Sequence, residues 1–88
     1  MSKQVVAGKK ADRMIDIGEI MGAHGVKGQM KVMSLTDFED IRFAVGANVF
    51  VQKLKKYMTV TQSSVHKGLY LLQLDGIDDR DEVQELLH

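Results

Sequence analysis

Three histidines are the side chains of this sequence that could act as a general base or a metal ligand near neutral pH. His24, His66 and His88 are widely spaced, and none lies in an HExxH helix or beside a nucleophile motif. A metal site made of His24, His66 and a carboxylate stays open on spacing alone, although isolated histidines in turns are usually ordinary surface residues. Because catalysis needs a nucleophile, a base and an orienting group in mutual reach, we predict a protein that is not an enzyme and uses no cofactor.

A glycine-rich segment is the most informative feature. Its GVKG sequence at residues 25–28 has the GxxG form with which KH domains clamp a nucleic-acid backbone. A KH loop joins two helices, whereas this segment lies between two predicted strands. The simpler interpretation is that Gly25 and Gly28 supply positive φ for a wide hairpin turn. That turn would set His24 and Lys27 at its tip, and we predict that these four residues contact a partner.

Two further basic turns are candidates for the same contact. Their residues are Lys53, Lys55 and Lys56 in one turn, and His66 and Lys67 in the other. Such turns could meet phosphate, but they more often keep a protein soluble. The chain has 12 basic and 12 acidic side chains, so attraction to RNA would have to be local.

The charges are distributed unevenly along the chain. Residues 1–34 carry a net charge of +3, residues 35–41 carry −3, residues 42–68 carry +5 and residues 69–88 carry −5. Such a mosaic would allow the domain to meet a basic protein on one side and RNA on another. The alternative interpretation is a well-solvated surface without a partner.

The elements that position these residues are predicted to be strands. Alternating apolar residues indicate strands at 14–20, with a bulge at Gly18, and at 29–35, 47–52, 57–65 and 69–74. Five or six short strands with turns every eight to twelve residues favour a small all-β, closed antiparallel barrel, since closure removes exposed edges. The predicted core consists of Ile15, Ile17, Ile20, Val32, Val49, Val51, Val60, Leu72 and Leu74.

Three segments depart from the strand pattern. Residues 1–13 show no apolar periodicity and are predicted to be a flexible tail before a single domain at 14–88. Residues 36–43 should form one short helical turn with Thr36 or Asp37 as its N-cap. Near the C-terminus, Asp79 is expected to cap a helix whose apolar residues pack on the barrel. These apolar residues are Val83, Leu86 and Leu87.

Cysteine is absent, which excludes disulfides and thiolate catalysis and suits a reducing environment. The sequence shows neither a secretory signal nor an apolar segment long enough to span a membrane. We therefore expect a cytoplasmic, monomeric domain.

Three ordered segments resemble the RimM family of ribosome maturation factors. The first comprises Ile17-Gly18-Glu19-Ile20, His24-Gly25-Val26-Lys27-Gly28 and Lys31-Val32, followed by Thr36-Asp37. The second is His66-Lys67-Gly68, and the third runs from Leu74 to Asp81 and continues with Glu85-Leu86. The resemblance covers residues 14–87, and this stretch is similar to the N-terminal domain of that family.

The resemblance implies a six-stranded antiparallel barrel like the second domain of translation elongation factors. It further implies a non-enzymatic, chaperone-like factor that binds the free small ribosomal subunit, aids maturation of its head and rRNA processing, and contacts ribosomal protein S-nineteen and nearby rRNA. Family members continue into a PRC-type barrel, which this chain lacks. Two alternatives remain: a barrel that binds a small ligand or nucleotide, and a single-strand binder, against which the scatter of the five aromatic residues argues.

Overall fold

A computed structural model describes residues 4–87, and six antiparallel strands in it form a closed barrel. The order around the barrel is β1-β2-β3-β6-β5-β4. The strands are β1 (Val5–Lys10), β2 (Arg13–His24), β3 (Gln29–Ser34), β4 (Asn48–Val51), β5 (Lys56–His66) and β6 (Leu69–Leu74). The predicted fold class is therefore confirmed. No helix within residues 4–87 has the length and apolar character needed to cross a membrane.

The first strand corrects the prediction of a flexible tail through Arg13. β1 pairs with β2 on one side and with β4 on the other, so it closes the barrel. Val6 and Ala7 are fully buried. The apolar run here is only three residues long and is followed by Gly8 and two lysines, which is too short a signal for periodicity to detect. The prediction for residues 1–3 lies outside the described residues.

The long strand β2 contains two register shifts, which let it bend around the barrel. At the first shift Val6 pairs with Gly18 and Ala7 pairs with Asp16, so the additional residue is Ile17, next to the predicted bulge. Gly18 itself serves close packing, because a Cβ atom there would lie 2.6 Å from Cγ1 of Val32.

The core fills the barrel with apolar side chains from all six strands. Every predicted core residue is buried except Ile15, which is half-buried and packs against the others. Phe43 was not among the predicted core residues. It lies beyond the first helix, and its side chain is 1% exposed. The further core residues are Val6, Met30, Met58, Ile77, Val83 and Leu86.

The two short helices differ in how they begin. In α1 (Glu39–Arg42) the N-cap is Phe38, which makes no side-chain capping bond. The predicted cap is wrong: the Thr36 hydroxyl accepts a hydrogen bond from the Phe38 amide at 3.1 Å, and Thr36 lies two residues before the N-cap position.

In α2 (Arg80–Glu85) the prediction is confirmed. The Asp79 carboxylate accepts a hydrogen bond from the Glu82 amide at 2.9 Å, and the Glu82 carboxylate accepts one from the Asp78 amide at 3.0 Å. Val83 and Leu86 are buried and Leu87 is half-buried, so the helix packs on the barrel through the predicted residues.

Candidate functional site

The β2–β3 turn carries the predicted glycines, and both have positive φ, at +69° for Gly25 and +89° for Gly28. The prediction of a glycine-dependent hairpin turn is confirmed. The two positions nevertheless differ in their surroundings. A Cβ atom on Gly25 would meet no other atom within 4 Å, whereas one on Gly28 would lie 2.5 Å from the Ile77 carbonyl oxygen. Gly28 is buried, so it supports the turn from beneath while Gly25 faces outward.

Strand β6 and the first residue of α2 hold this turn in place. The Arg80 amide donates a hydrogen bond to the Val26 carbonyl at 3.2 Å. The Gln73 side-chain amide donates to the Lys27 carbonyl and, at 3.3 Å, to the Ile77 carbonyl. These bonds occupy the Val26 and Lys27 carbonyl groups, while the exposed side chains of the turn stay open to a partner. The Val26 side chain is 73% exposed, and Lys27 is exposed as well.

The structure brings His24 and His66 together, although they end strands that are not neighbours in the sheet. Their ring centroids are 5.7 Å apart and the rings are tilted by 54°. A second contact also joins the β2–β3 hairpin to β5, because the Gln29 side-chain amide donates to the Gln62 side-chain oxygen at 2.9 Å. The sequence holds no signal of this proximity, since it depends on the strand order and curvature of the barrel.

Lys67 follows His66 in the β5–β6 turn and is exposed. Lys67 and Gly68 both have positive φ, at +52° and +80°, which is the pattern of a two-residue type I′ hairpin turn. The turn residues His24, Lys27, His66 and Lys67 therefore come from two hairpins whose histidine rings meet. We call these four residues the histidine surface.

No group of three His, Cys, Asp or Glu side chains in residues 4–87 is arranged to hold a metal ion. The two imidazoles of the histidine surface are close, but the carboxylate that a three-ligand site would require does not join them. The chemistry available at this surface is hydrogen bonding by imidazole and charge attraction by lysine.

The lysines of the β4–β5 turn lie in different surroundings. Lys53 and Lys56 line a cleft of about 390 Å³, together with Glu82 and Glu85 of α2. Lys55 is exposed and has a φ of +54°. The cleft brings acidic side chains of α2 to the basic turn, so a phosphate approaching Lys53 or Lys56 would also meet two carboxylates.

A second cleft, of about 330 Å³, lies between α1 and the β5–β6 hairpin and was not foreseen from the sequence. Phe43 and Tyr70 lie in it with ring centroids 5.0 Å apart, and Glu39 and Asp40 contribute carboxylates. Burial raises the pKa of the Tyr70 phenol above its usual value, and the negative charges of Glu39 and Asp40 raise it further. The acidic run at residues 35–41 was the only hint of this cleft in the sequence.

Comparison with known proteins gives a consistent result. The family profile described as "RimM N-terminal domain" matches residues 15–88. Proteins named "Ribosome maturation factor RimM" are similar to the chain: that of Lactobacillus johnsonii is 36% identical over 73 residues, which is 81% of this chain and 42% of the relative. That of Oceanobacillus iheyensis is 42% identical over 71 residues, which is 78% of this chain and 41% of the relative.

The chain thus spans less than half the length of the curated relatives that it matches. No solved structure gives a significant match.

Proposed function

Because the chain belongs to the RimM family through its N-terminal domain, we propose that it is a non-enzymatic ribosome-assembly domain that binds the free small ribosomal subunit through the histidine surface. In this role the domain holds a ribosomal protein and rRNA in a productive arrangement while the head of the subunit matures. The finer proposal is that ribosomal protein S-nineteen and adjacent rRNA are the contacts.

The observation that carries this proposal is the convergence of two hairpins at the histidine pair. Each hairpin contributes one histidine and one exposed lysine, so a partner can reach basic groups of both turns. The β2–β3 turn is held by the Arg80 amide and the Gln73 side chain, which limits the conformational entropy lost on binding. Lysine ammonium groups attract phosphate, and such contacts position a protein on RNA without reading its sequence.

The charge balance of the whole chain also fits a local contact. Equal numbers of basic and acidic groups give little overall attraction to RNA. Binding must then depend on a few lysines at one place, and removing two of them should have a measurable effect. The lysines of the β4–β5 turn are less suited to this contact, because Glu82 and Glu85 share their cleft.

The test is co-sedimentation of the chain with free small subunits and, separately, with assembled ribosomes. The variant Lys27→Ala/Lys67→Ala should bind free subunits more weakly than the unaltered protein. For this variant, the slope of log affinity against log salt concentration should be less steep by about two. This change corresponds to about one lost phosphate contact per lysine.

The matched control is Lys9→Ala/Lys10→Ala, which removes the same charge from exposed positions at the end of β1. This control should bind almost normally. Equal binding by both variants would remove the histidine surface from the contact. Equal affinity for free subunits and assembled ribosomes would argue against a role confined to assembly.

A pull-down with purified ribosomal protein S-nineteen tests the finer proposal. Retention of the protein in the absence of RNA supports a direct contact. Loss of retention after nuclease treatment of the mixture would assign the contact to rRNA instead.

A further inference from the structure

The cleft between α1 and the β5–β6 hairpin combines features that match one kind of side chain. Its floor is aromatic: Phe43 is 1% exposed, and the half-buried Tyr70 ring lies against it. Two valines in the lining are unusually open to solvent, Val45 at 65% exposed and Val65 at 63%. Exposed apolar side chains around a concave site are typical of a binding surface.

The charge of the cleft has one sign. Glu39 and Asp40 lie in its lining, and no lysine or arginine of residues 4–87 joins them there. Arg42 belongs to the same helix, but its guanidinium donates a hydrogen bond to the Lys9 carbonyl on β1 at 3.1 Å. The cleft therefore repels phosphate and attracts a cation. This distinguishes it from the histidine surface, which attracts phosphate.

We propose that this cleft receives an arginine side chain from a basic protein partner. The guanidinium lies between the Glu39 and Asp40 carboxylates, which accept its hydrogen bonds, and stacks on the Tyr70 ring. Its apolar stem packs between Val45 and Val65. Burial is the main cause of the raised pKa of Tyr70, and the negative charges of Glu39 and Asp40, which a guanidinium would also meet, raise it further.

This inference rests on the proposed function for the kind of partner, because proteins that assemble with RNA are rich in arginine. It adds that two regions of the protein surface contact different kinds of partner. The histidine surface contacts RNA phosphate, and the acidic cleft contacts a protein, so the two can be occupied together.

The experiment is an NMR titration of the chain with acetylated tetra-arginine amide, acetylated tetra-lysine amide and oligouridylate. Tetra-arginine should shift the resonances of Val45, Val65 and Tyr70, and tetra-lysine should bind more weakly, because it lacks the planar group that stacks on an aromatic ring. The variant Glu39→Gln/Asp40→Asn should weaken tetra-arginine binding by about three- to tenfold, as expected for the loss of two exposed ion pairs.

A control variant, Asp12→Asn/Asp75→Asn, removes the same charge from exposed positions outside the cleft and should bind tetra-arginine nearly as well as the unaltered protein. Equal weakening by both variants would show a diffuse charge effect and overturn the proposal. Shifts confined to α2, equal binding of tetra-lysine, or shifts at the cleft caused by oligouridylate would each overturn it as well. Ribosomes do not enter this titration, so its outcome is independent of the co-sedimentation test.

Discussion

The close approach of Gly28 to the segment before α2 predicts a large loss of stability for Gly28→Ala. When a residue with a side chain adopts the φ of +89° at this position, the free energy of unfolding falls by about 1 to 3 kcal/mol. The new Cβ atom would also lie 2.5 Å from the Ile77 carbonyl oxygen and 2.9 Å from the Asp79 amide nitrogen. These are backbone atoms that cannot rotate away, so overpacking adds about 1 to 3 kcal/mol. The total is about 2 to 6 kcal/mol.

Gly46 offers a matched control for this prediction. Its φ of +93° is almost the same, but a Cβ atom there would meet no other atom within 4 Å. Gly46→Ala should therefore carry the backbone cost alone, and the difference between the two variants isolates the contact with residues 77–79. For a domain of this size, a difference of about 1 to 3 kcal/mol lowers the melting midpoint by about 4 to 24 °C.

Thermal unfolding followed by circular dichroism measures both variants under one set of conditions. The Gly28→Ala midpoint should lie clearly below that of Gly46→Ala. Coincident midpoints would show that residues 77–79 move aside at little cost in free energy. Gly28 would then not support the turn through a rigid contact with these residues.

Four other predictions test separate parts of the structure. Leu72 is fully buried, and Leu72→Ala should cost about 2 to 5 kcal/mol in chemical denaturation; an unchanged midpoint would contradict the assigned core. Asp79→Ala removes the cap of α2 and should cost about 0.5 to 2 kcal/mol, with faster amide exchange in residues 80–87 as the local readout. Lys67→Asn should stabilise the protein by about 0.5 to 1 kcal/mol, since asparagine tolerates the left-handed conformation of this turn better than lysine; a lower midpoint would argue against the type I′ geometry. Burial and the charges of Glu39 and Asp40 raise the pKa of Tyr70 in the folded protein above its ordinary value of 10.0, so stability is retained below pH 10 and lost as pH rises from there towards the folded pKa; Tyr70→Phe should lose less stability than the unaltered protein between pH 9 and pH 11.

The parts of the fold that local sequence determines were predictable. Asp79 and Glu82 define the start of α2 because a capping box acts within three residues. The alternation of Met30 and Val32 with Lys31 and Met33 identified β3, and in the structure Met30 and Val32 are buried whereas Met33 is exposed. The alternation of apolar residues predicted an antiparallel barrel without its topology, which the RimM resemblance supplied.

The parts that depend on distant partners were not predictable. β1 has only a short apolar run, and it becomes a strand because β2 and β4 lie on either side of it. The contact of His24 with His66 depends on strands that are separated in the sheet. The GxxG pattern indicated a turn. It did not indicate that Gly28 packs closely against Ile77, because this contact forms only when the segment before α2 packs against the turn.

The pairing of β1 with β4 has a consequence for how the protein forms during synthesis. Val6 pairs with Val51, so the two partners are 45 residues apart in the sequence. β2 ends at His24, so at about 5 to 20 residues per second β1 has only β2 beside it for roughly 1 to 5 seconds before Val51 is added. Until β3 joins β2, strands β1 and β2 form a two-stranded hairpin, which is marginally stable in water and should therefore open and close many times. The barrel can close only after β6, which pairs with both β3 and β5, has left the exit tunnel. Closure is therefore a late event, and the edge of β1 that pairs with β4 stays accessible to chaperones while the chain grows.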